Sequence, residues 1–251
     1  MSAGLTALSS LNNKHARDVP VAEMPGRISI IIPALNEAAT LRGLLPGRLP
    51  PEVYEVILAD GGSTDATVAI ARERGWRVVS SPSCRATQMN AGAASATGEI
   101  LLFLHADTTL PERYASEVRR VLALPKVVAG AFRLSIDSPR FALRVIAWLA
   151  NFRSASRQLP FGDQAIFISA KQFRAVGGYP DLPIMEDYEL MRRLRRCGRV
   201  GLARGSVLTS ARRWERLGVL RTTLINQCCQ LAYRCGVSPN RIHRWYYGSR
   251  S

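Results

Sequence analysis

Acidic residues follow several short apolar runs of this sequence, where they could bind cations or move protons. Asp107, with His105 two residues before it, comes directly after the wholly apolar run LLFL. A carboxylate at the end of a buried strand costs stability unless something binds it, and Mg²⁺ and Mn²⁺ take carboxylate oxygens together with substrate phosphates. We therefore predict a divalent metal at Asp107. His105 is either a second ligand or a structural neighbour, and capping of a helix beyond Pro111 is the alternative for Asp107.

Three more acidic residues, Glu186, Asp187 and Glu189, stand at the start of a predicted helix. Taken alone they are typical of an ordinary helix, because the helix dipole favours negative charge at its N-terminus. Next to a metal–phosphate site, one of these carboxylates becomes a candidate general base that takes a proton from a substrate hydroxyl. The sequence leaves both interpretations open.

Two turns of ligand-binding character follow the first two predicted strands. The first contains Pro33, Leu35 and Glu37, and the second, DGGSTD, begins with Asp60 and Gly61. Glycine lets a chain turn tightly and approach a ligand, and a carboxylate at the strand end can accept hydrogen bonds from a nucleoside. A helix-capping turn is the structural alternative.

Arg85 and the run Arg212–Arg213–Trp214 are further candidates. Guanidinium groups bind diphosphate oxygens through paired hydrogen bonds, and an indole ring can stack on a sugar or a base. Because 31 of the 34 basic residues are arginine, a solvated surface is the alternative for any single one of them.

Alternating strands and helices must position these residues. ISIIIP, YEVILAD, WRVVS and EILLFLH are predicted strands, and the segments between them are predicted helices. This alternation predicts βαβ units and a mostly parallel sheet with both faces covered, which is an α/β fold. In such sheets ligands bind at the carboxyl ends of the strands, where the turns described above lie.

The sequence divides into three parts. Residues 1–26 are small, polar and unpatterned, and we predict a flexible leader there. Residues 27–215 form the predicted α/β domain, and residues 216–251 form a basic, helical C-terminal extension. Leucines and cysteines three and four residues apart mark a stripe on the predicted helix at about 215–235, and this stripe suits packing on the domain or lying on a bilayer.

Positive charge is concentrated near the C-terminus. The net charge is +15, and residues 189–251 contain 14 arginines and no lysine against two acidic residues. This asymmetry predicts an anionic partner: a phosphate-bearing substrate, a lipid surface or nucleic acid. With 47% hydrophobic and 21% charged residues, the composition is that of a globular protein and excludes disorder, collagen and coiled coil.

The compartment is predicted from what the sequence does not contain. No run approaches the roughly 18 apolar residues of a membrane span, and the N-terminal segment has no apolar signal-peptide core. The five cysteines lack C-x-x-C spacing, which is typical of a reduced protein without disulfides or structural zinc. We therefore expect a cytoplasmic protein.

In their order, these motifs resemble those of the family-2 glycosyltransferases with the nucleotide-diphospho-sugar transferase (GT-A) fold. IPALNE resembles the opening strand and turn of that family, DGGSTD its nucleotide motif, HAD its D-x-D metal motif and MEDYEL its E-D base motif. The resemblance covers about residues 27–215 and implies a Rossmann-like sheet flanked by helices. HADT, PFGDQ, MEDYEL and SARRWE are most similar to a bacterial subgroup sometimes linked to arsenosugar biosynthesis.

The resemblance implies an inverting, metal-dependent and non-processive hexosyl transfer from a UDP- or GDP-sugar to an acceptor hydroxyl. It implies that Asp187 is the base, that Glu186 positions the base or the acceptor, and that Mn²⁺ or Mg²⁺ binds Asp107. The implied donor-binding residues are Pro33, Leu35, Glu37, Asp60, Gly61, Arg85 and Asp107. The implied acceptor or diphosphate residues are Asp163, Gln164, Arg212, Arg213 and Trp214.

Two other functions fit parts of the sequence. A sugar-1-phosphate nucleotidyltransferase would carry a glycine-rich basic loop after its first strand, and PALNEAATLR is not such a loop. Nucleic-acid binding by the basic C-terminal region would leave the acidic strand ends unexplained. The same region could instead dock on the inner face of a membrane to reach a lipid-linked acceptor, or simply be solvated. If the acceptor is not lipid-linked, it is an unknown small molecule. The oligomeric state is not predicted.

Overall fold

A computed structural model describes residues 26–45 and 49–248 of the chain. The flexible leader predicted for residues 1–26 lies, except for Gly26, outside the described residues. The strands are β1 (Ile28–Ala34), β2 (Val53–Asp60), β3 (Arg77–Ser80), β4 (Ile100–Phe103), β5 (Thr108–Thr109), β6 (Val127–Asp137), β7 (Phe167–Ser169) and β8 (Arg199–Ser210). The helices of the first domain are α1 (Ala38–Leu41), α2 (Thr67–Glu73), α3 (Arg85–Ser95), α4 (Tyr114–Leu122), α5 (Phe141–Arg157), α6 (Ala170–Ala175) and α7 (Glu186–Cys197). Three further helices follow, α8 (Arg212–Leu217), α9 (Val219–Arg234) and α10 (Pro239–Tyr247).

All eight strands form one sheet in the order β3-β2-β1-β4-β7-β6-β8-β5. Strands β1 to β4 pair in parallel, as the alternating sequence predicts. Beyond β4 the sheet is mixed, because β7 runs antiparallel to both β4 and β6 while β6 and β8 are parallel. The predicted α/β class and the helix-flanked sheet are thus confirmed, and the parallel arrangement applies to one half of the sheet.

The β-branched run of β1 is buried because helices cover both faces of the sheet. Successive strand residues point to opposite faces, so Ile30 and Ile32 join one hydrophobic cluster and Ile31 joins the other. Hydrophobic burial on both faces fixes β1 and β4 at the centre, and their carboxyl ends carry the polar turns that the sequence analysis identifies.

The C-terminal extension differs from its prediction in one respect. The single helix expected at about residues 215–235 is two helices, because Gly218 adopts φ 85° between α8 and α9. The predicted boundary at residue 215 falls inside α8. Within the described part of the chain, no helix combines the length and the hydropathy that a bilayer span requires.

Two glycines allow α4 to pack closely on the mixed half of the sheet. Gly130 of β6 and Gly201 of β8 are partners across the two strands. A Cβ built on Gly130 would lie 2.3 Å from the Phe167 ring and 2.9 Å from Val121 of α4, and one built on Gly201 would lie 2.4 Å from Val121. Neither contact is sterically allowed, so glycine is required at both positions.

We expect Gly130→Ala to lower the free energy of unfolding by about 1–3 kcal/mol, the usual cost of overpacking a core. Denaturant titration measures the change. The matched control is Gly43→Ala, because a Cβ at Gly43 meets nothing within 4 Å. Equal effects of the two substitutions would contradict the packing argument.

Candidate active site

One cavity at the carboxyl ends of β1 and β4 collects most of the predicted site residues. Its volume is about 1570 Å³, against roughly 300–1,000 Å³ for common small-molecule sites, so it can hold two substrates. Asp107 and Asp187 both line it and therefore face one shared space. The predicted residues that line the cavity are Pro33, Leu35, Glu37, Arg85, His105, Asp107, Asp163, Glu186, Asp187, Arg212, Arg213 and Trp214.

Asp107 lies in the turn after β4 and is held there from two sides. Its backbone carbonyl accepts a hydrogen bond from the N–H of Ser210 at the end of β8 (3.0 Å). Its carboxylate lies 3.4 Å from the Arg212 guanidinium, which also lies 3.3 Å from the Glu37 carboxylate. The side chain does not cap a helix, since α4 begins after Arg113 without a side-chain cap. The carboxylate is therefore directed into the cavity.

His105 lies between Asp107 and the loop that precedes β7. Its Nε2 atom is shielded from solvent and has no hydrogen-bond partner among the described residues. A Cβ built on Gly162 would lie 2.9 Å from this Nε2 and 3.5 Å from Oδ2 of Asp187, so both side chains border the space that the glycine leaves open. Burial, aided by the positive charge of Arg85 and opposed by Asp107, lowers the pKa of His105 to about 3. The imidazole is therefore neutral near pH 7, which is the form that binds metals.

Glu186 is the first residue of α7 and is only 5% exposed. The guanidinium of Arg85, the first residue of α3, lies 4.0 Å from its carboxylate. Burial, followed by repulsion from Asp187, raises the pKa of Glu186 to about 7, although Arg85 acts in the opposite direction. This carboxyl group can therefore exchange a proton near neutral pH.

Backbone hydrogen bonds fix the carboxylate of Asp187. Its Oδ2 accepts from the N–H of Gly162 (2.8 Å) and its Oδ1 from the N–H of Tyr188 (2.6 Å). Each carboxylate oxygen has a second lone pair, so both can still accept a hydrogen bond from a substrate hydroxyl. The backbone thus fixes the orientation of this carboxylate within the cavity.

Asp163 brings a further carboxylate to the cavity from the 3₁₀ turn Gly162–Gln164. Its Oδ1 is buried and lacks a hydrogen-bond partner in the described part of the chain. Burial raises the pKa of Asp163 to about 6 against the opposing charge of Arg153, and Asp187 adds to the rise. Arg153 also stacks over the Phe161 ring at 3.8 Å. The sequence analysis missed Arg153, because nothing distinguishes it from the other arginines.

Helix α10 forms part of the cavity wall, which the sequence analysis also missed. Tyr246 and Tyr247 line the cavity, and the Arg213 guanidinium stacks over the Tyr246 ring at 3.8 Å. Trp214 packs against the hydrophobic core, so its ring is held in place beside this pair. The sequence showed these aromatic residues beside arginines, but only the fold places them at the site.

Asp60 and Gly61 form the turn after β2 and do not line the cavity. The buried Asp60 carboxylate accepts hydrogen bonds from the N–H groups of Gly62 (3.1 Å) and Ser63 (3.2 Å). A Cβ on Gly61 would lie 3.0 Å from Nε2 of Gln88, so there is little room for a side chain. Both residues shape this turn, and the nucleoside contact implied for them remains a prediction.

Gln164 is fully buried behind the cavity wall. Its Oε1 accepts hydrogen bonds from the Ser154 hydroxyl (2.7 Å) and the Phe161 N–H (3.2 Å), while its Nε2 donates to the Phe132 carbonyl (2.9 Å). These bonds fasten the turn that carries Asp163 to β6 and α5. Gln164 therefore supports this turn from behind and does not line the cavity.

Asp107 and His105 fit a metal that is shared with a substrate. Within residues 26–45 and 49–248, no three His, Cys, Asp or Glu side chains are arranged to hold a metal together. Mg²⁺ sites often use one or two protein ligands and take the remaining oxygens from substrate phosphates and water. The Asp107 carboxylate and the unpartnered Nε2 of His105 suit such a site.

The sequence matches the family model described as "Glycosyl transferase family 2" over residues 29–174, more than half of the chain. A PGL/p-HBAD biosynthesis glycosyltransferase from Mycobacterium tuberculosis is 41% identical over 104 residues, which are 38% of this chain and 40% of the relative. A validoxylamine A glucosyltransferase from Streptomyces hygroscopicus is 31% identical over 143 residues, which are 46% of this chain and 30% of the relative. Less than half the length of either relative is therefore matched.

Solved structures share the fold at low sequence identity. A mannosyltransferase from Pyrobaculum calidifontis, in complex with GDP-Man and Mn²⁺, has a TM-score of 0.63 at 22% identity and covers 91% of this chain and 71% of its own. Glucosyl-3-phosphoglycerate synthase from Mycobacterium tuberculosis, in complex with Mn²⁺, UDP and phosphoglyceric acid, has a TM-score of 0.56 at 21% identity and covers 84% of this chain and 79% of its own.

The buried carboxyl of Glu186 predicts that stability depends on pH. A carboxyl whose pKa rises on folding favours the native state while protonated, so its contribution is lost as the pH rises through about 7. Glu186→Gln removes this ionisation and should be more stable than the natural protein by roughly 1 kcal/mol or more at about pH 8, with a smaller difference at about pH 5. Thermal unfolding across this range tests the prediction, with Glu73→Gln at an exposed position as control. A difference that does not change with pH would contradict it.

Proposed function

The chain belongs to glycosyl transferase family 2, and on this premise we propose that it moves one hexosyl group from a UDP- or GDP-sugar to an acceptor hydroxyl with inversion. The observation that carries the proposal is the shared cavity of Asp107 and Asp187, in which backbone hydrogen bonds already orient the Asp187 carboxylate. A single displacement needs a base on the acceptor side and a cation on the leaving-group side, and these two aspartates supply both.

In the proposed reaction, Asp187 takes the proton of the acceptor hydroxyl as that oxygen attacks the anomeric carbon. The new carbon–oxygen bond forms while the bond to the diphosphate oxygen breaks, and its electron pair leaves with the nucleoside diphosphate. Attack from the side opposite the leaving group inverts the anomeric centre. The N–H of Gly162 holds the Asp187 carboxylate in place, so little reorganisation is needed at the moment of transfer.

The leaving group gains negative charge, and arginines surround the place where it forms. Arg85, Arg212 and Arg213 all line the cavity, and guanidinium groups match diphosphate oxygens in geometry and charge. Arg212 bridges Asp107 and Glu37, and it can turn to a bound diphosphate because half of its side chain is exposed.

Asp107, with Nε2 of His105, would hold the Mn²⁺ or Mg²⁺ ion of this proposal. When bound, a divalent ion neutralises charge on the departing diphosphate. The mannosyltransferase and the phosphoglycerate synthase with this fold were solved with Mn²⁺, which supports the choice of metal. Pro33 and Leu35, which line the same cavity, would contact the donor near its base.

The acceptor is proposed to be either a small molecule or the headgroup of a lipid. The curated relatives are named for PGL/p-HBAD biosynthesis and for glucosylation of validoxylamine A, and neither name extends to this chain. A cytoplasmic location with contact at the inner face of the membrane fits the basic C-terminal extension. The arsenosugar link implied by the subgroup resemblance remains a prediction, and family membership disfavours nucleic-acid binding and nucleotidyl transfer.

Asp187→Asn should keep donor binding and lower the rate of sugar transfer roughly 10²–10⁴-fold, because the amide cannot accept the proton. Turnover and donor affinity are measured separately, the second by calorimetry with UDP and GDP. Asp181→Asn, at an exposed position in the loop before α7, is the control. Undiminished transfer by the Asp187→Asn variant would remove Asp187 from the mechanism.

Asp107→Ala should abolish the part of nucleotide binding that depends on metal. A thermal-shift panel of nucleotide sugars with and without Mn²⁺ identifies the donor, because a ligand of the native state raises its melting temperature. The shift that requires Mn²⁺ should disappear in the variant, whereas Glu112→Ala, at a position outside this cavity, should leave it unchanged. If the variant retains the Mn²⁺-dependent shift, the metal is bound elsewhere.

A further inference from the structure

Helix α5 exposes its largest apolar side chains, whereas an ordinary amphipathic helix buries them. The face that packs on the domain carries Leu143 and three small residues, Ala147, Ala150 and Ser154. The opposite face carries its largest apolar side chains, and these are exposed: Phe141 (76%), Val145 (38%), Trp148 (64%), Leu149 (52%) and Phe152 (61%). The rings of Trp148 and Phe152 stack with centroids 5.9 Å apart. Such an exposed apolar surface marks a site of contact with a partner or a membrane.

Helix α9 presents a second apolar stripe outward. Leu220, Leu224 and Leu231 are 79%, 62% and 62% exposed, whereas the residues that α9 buries are Thr222 and Cys229. This is the stripe for which the sequence left packing and bilayer contact open, and the structure shows that it does not pack on the domain. We call the exposed faces of α5 and α9 the apolar rim.

The apolar rim borders the candidate active site. Leu149 and Phe152 of α5 and Leu231 of α9 are exposed and also line the cavity. Apolar surface therefore continues from the outside of both helices to the cavity mouth. A partner seated on the rim would lie directly at the entrance of the site.

The charge of the rim helices selects the partner. The sequences of α5 and α9 contain five arginines and no aspartate or glutamate, and all of these arginines except Arg153 are exposed. Helix α10, which contacts α9, adds two more exposed arginines and no acidic residue. Trp148 on α5 and Trp245 on α10 are exposed, and tryptophan favours the interface between water and lipid. Exposed apolar side chains surrounded by positive charge suit an anionic lipid surface. A second copy of this chain fits poorly, because self-association would bring these arginines against their own counterparts.

We infer that the apolar rim docks on an anionic lipid bilayer, with the mouth of the cavity turned to the lipid headgroups. The inference rests on the proposed function only for the reaction inside the cavity. It deepens that function by placing the acceptor hydroxyl on a membrane lipid, whose apolar chain stays in the bilayer while its headgroup enters the cavity.

Co-sedimentation of the full chain with vesicles tests the docking. Vesicles of phosphatidylglycerol and phosphatidylethanolamine should bind the protein, and vesicles of phosphatidylcholine alone should bind it at least about tenfold more weakly. Trp148→Glu should weaken binding to the anionic vesicles roughly tenfold or more. Tyr54→Glu is the matched control, since Tyr54 is a similarly exposed aromatic residue (53%) on β2, and it should bind as the natural protein does.

Fluorescence quenching by brominated lipid gives a second, direct measurement. Quenching should be strong for the natural protein and should fall in Trp148→Phe, which keeps an apolar ring and so should still bind. Three results would each overturn the inference: equal vesicle binding by the Trp148→Glu and Tyr54→Glu variants, no binding of the natural protein to anionic vesicles, or a dimer in sedimentation that Trp148→Glu dissociates.

A nucleotide thermal shift in vesicle-free buffer separates this inference from the proposed function. Trp148 does not line the cavity, so Trp148→Glu should keep the natural shift. Failure of docking with nucleotide binding intact rejects the rim alone, and absence of nucleotide binding with docking intact rejects the transferase proposal alone.

Discussion

Burial of several carboxyl groups in one shared cavity is the constraint on which the site depends. Glu186 and Asp163 are pushed toward their neutral forms by burial and by the nearby charge of Asp187. Asp187 differs in its contacts, because two backbone N–H groups donate hydrogen bonds to its carboxylate. The fold thus surrounds neighbouring carboxyl groups differently: backbone hydrogen bonds anchor Asp187, whereas Glu186 and Asp163 are held toward their neutral forms.

Arginine balances this negative charge from separate elements of the fold. Arg85 comes from the start of α3, Arg153 from α5 and Arg212 from α8. Guanidinium keeps its charge under nearly all conditions, so these side chains remain cationic beside the carboxylates. All three arginines line the cavity that the carboxylates share, so positive and negative charge are offset within it.

The parallel half of the sheet and the strand-end turns could be predicted, because both can be recognised from short stretches of sequence. Continuous β-branched runs indicate buried strands, and ligands bind at the carboxyl ends of such strands. Strand β8 was missed, since RVGLARGSVLTS contains two glycines and two arginines and carries no continuous apolar run. Arg153 and Tyr246 reach the cavity only through tertiary packing. Gln164 belongs to the PFGDQ motif, yet its amide forms hydrogen bonds to Ser154 and Phe132 inside the fold. Motif spacing cannot reveal such contacts.

The distribution of residue sizes around α5 shows how one helix can pack on the domain with one face and expose apolar side chains on the other. Small residues on the inner face let the helix approach β6 closely, and the Asn151 amide there bonds the backbone N–H and C=O of Leu134 on that strand. Stability is thus obtained from close backbone contact and hydrogen bonds, with little use of large apolar side chains. Those side chains are left outside, where water solvates them poorly. A helix held in this way stays packed on β6 although Phe141 and Trp148 are exposed. Its outer surface is therefore not needed for packing and can contact a partner at the cavity mouth.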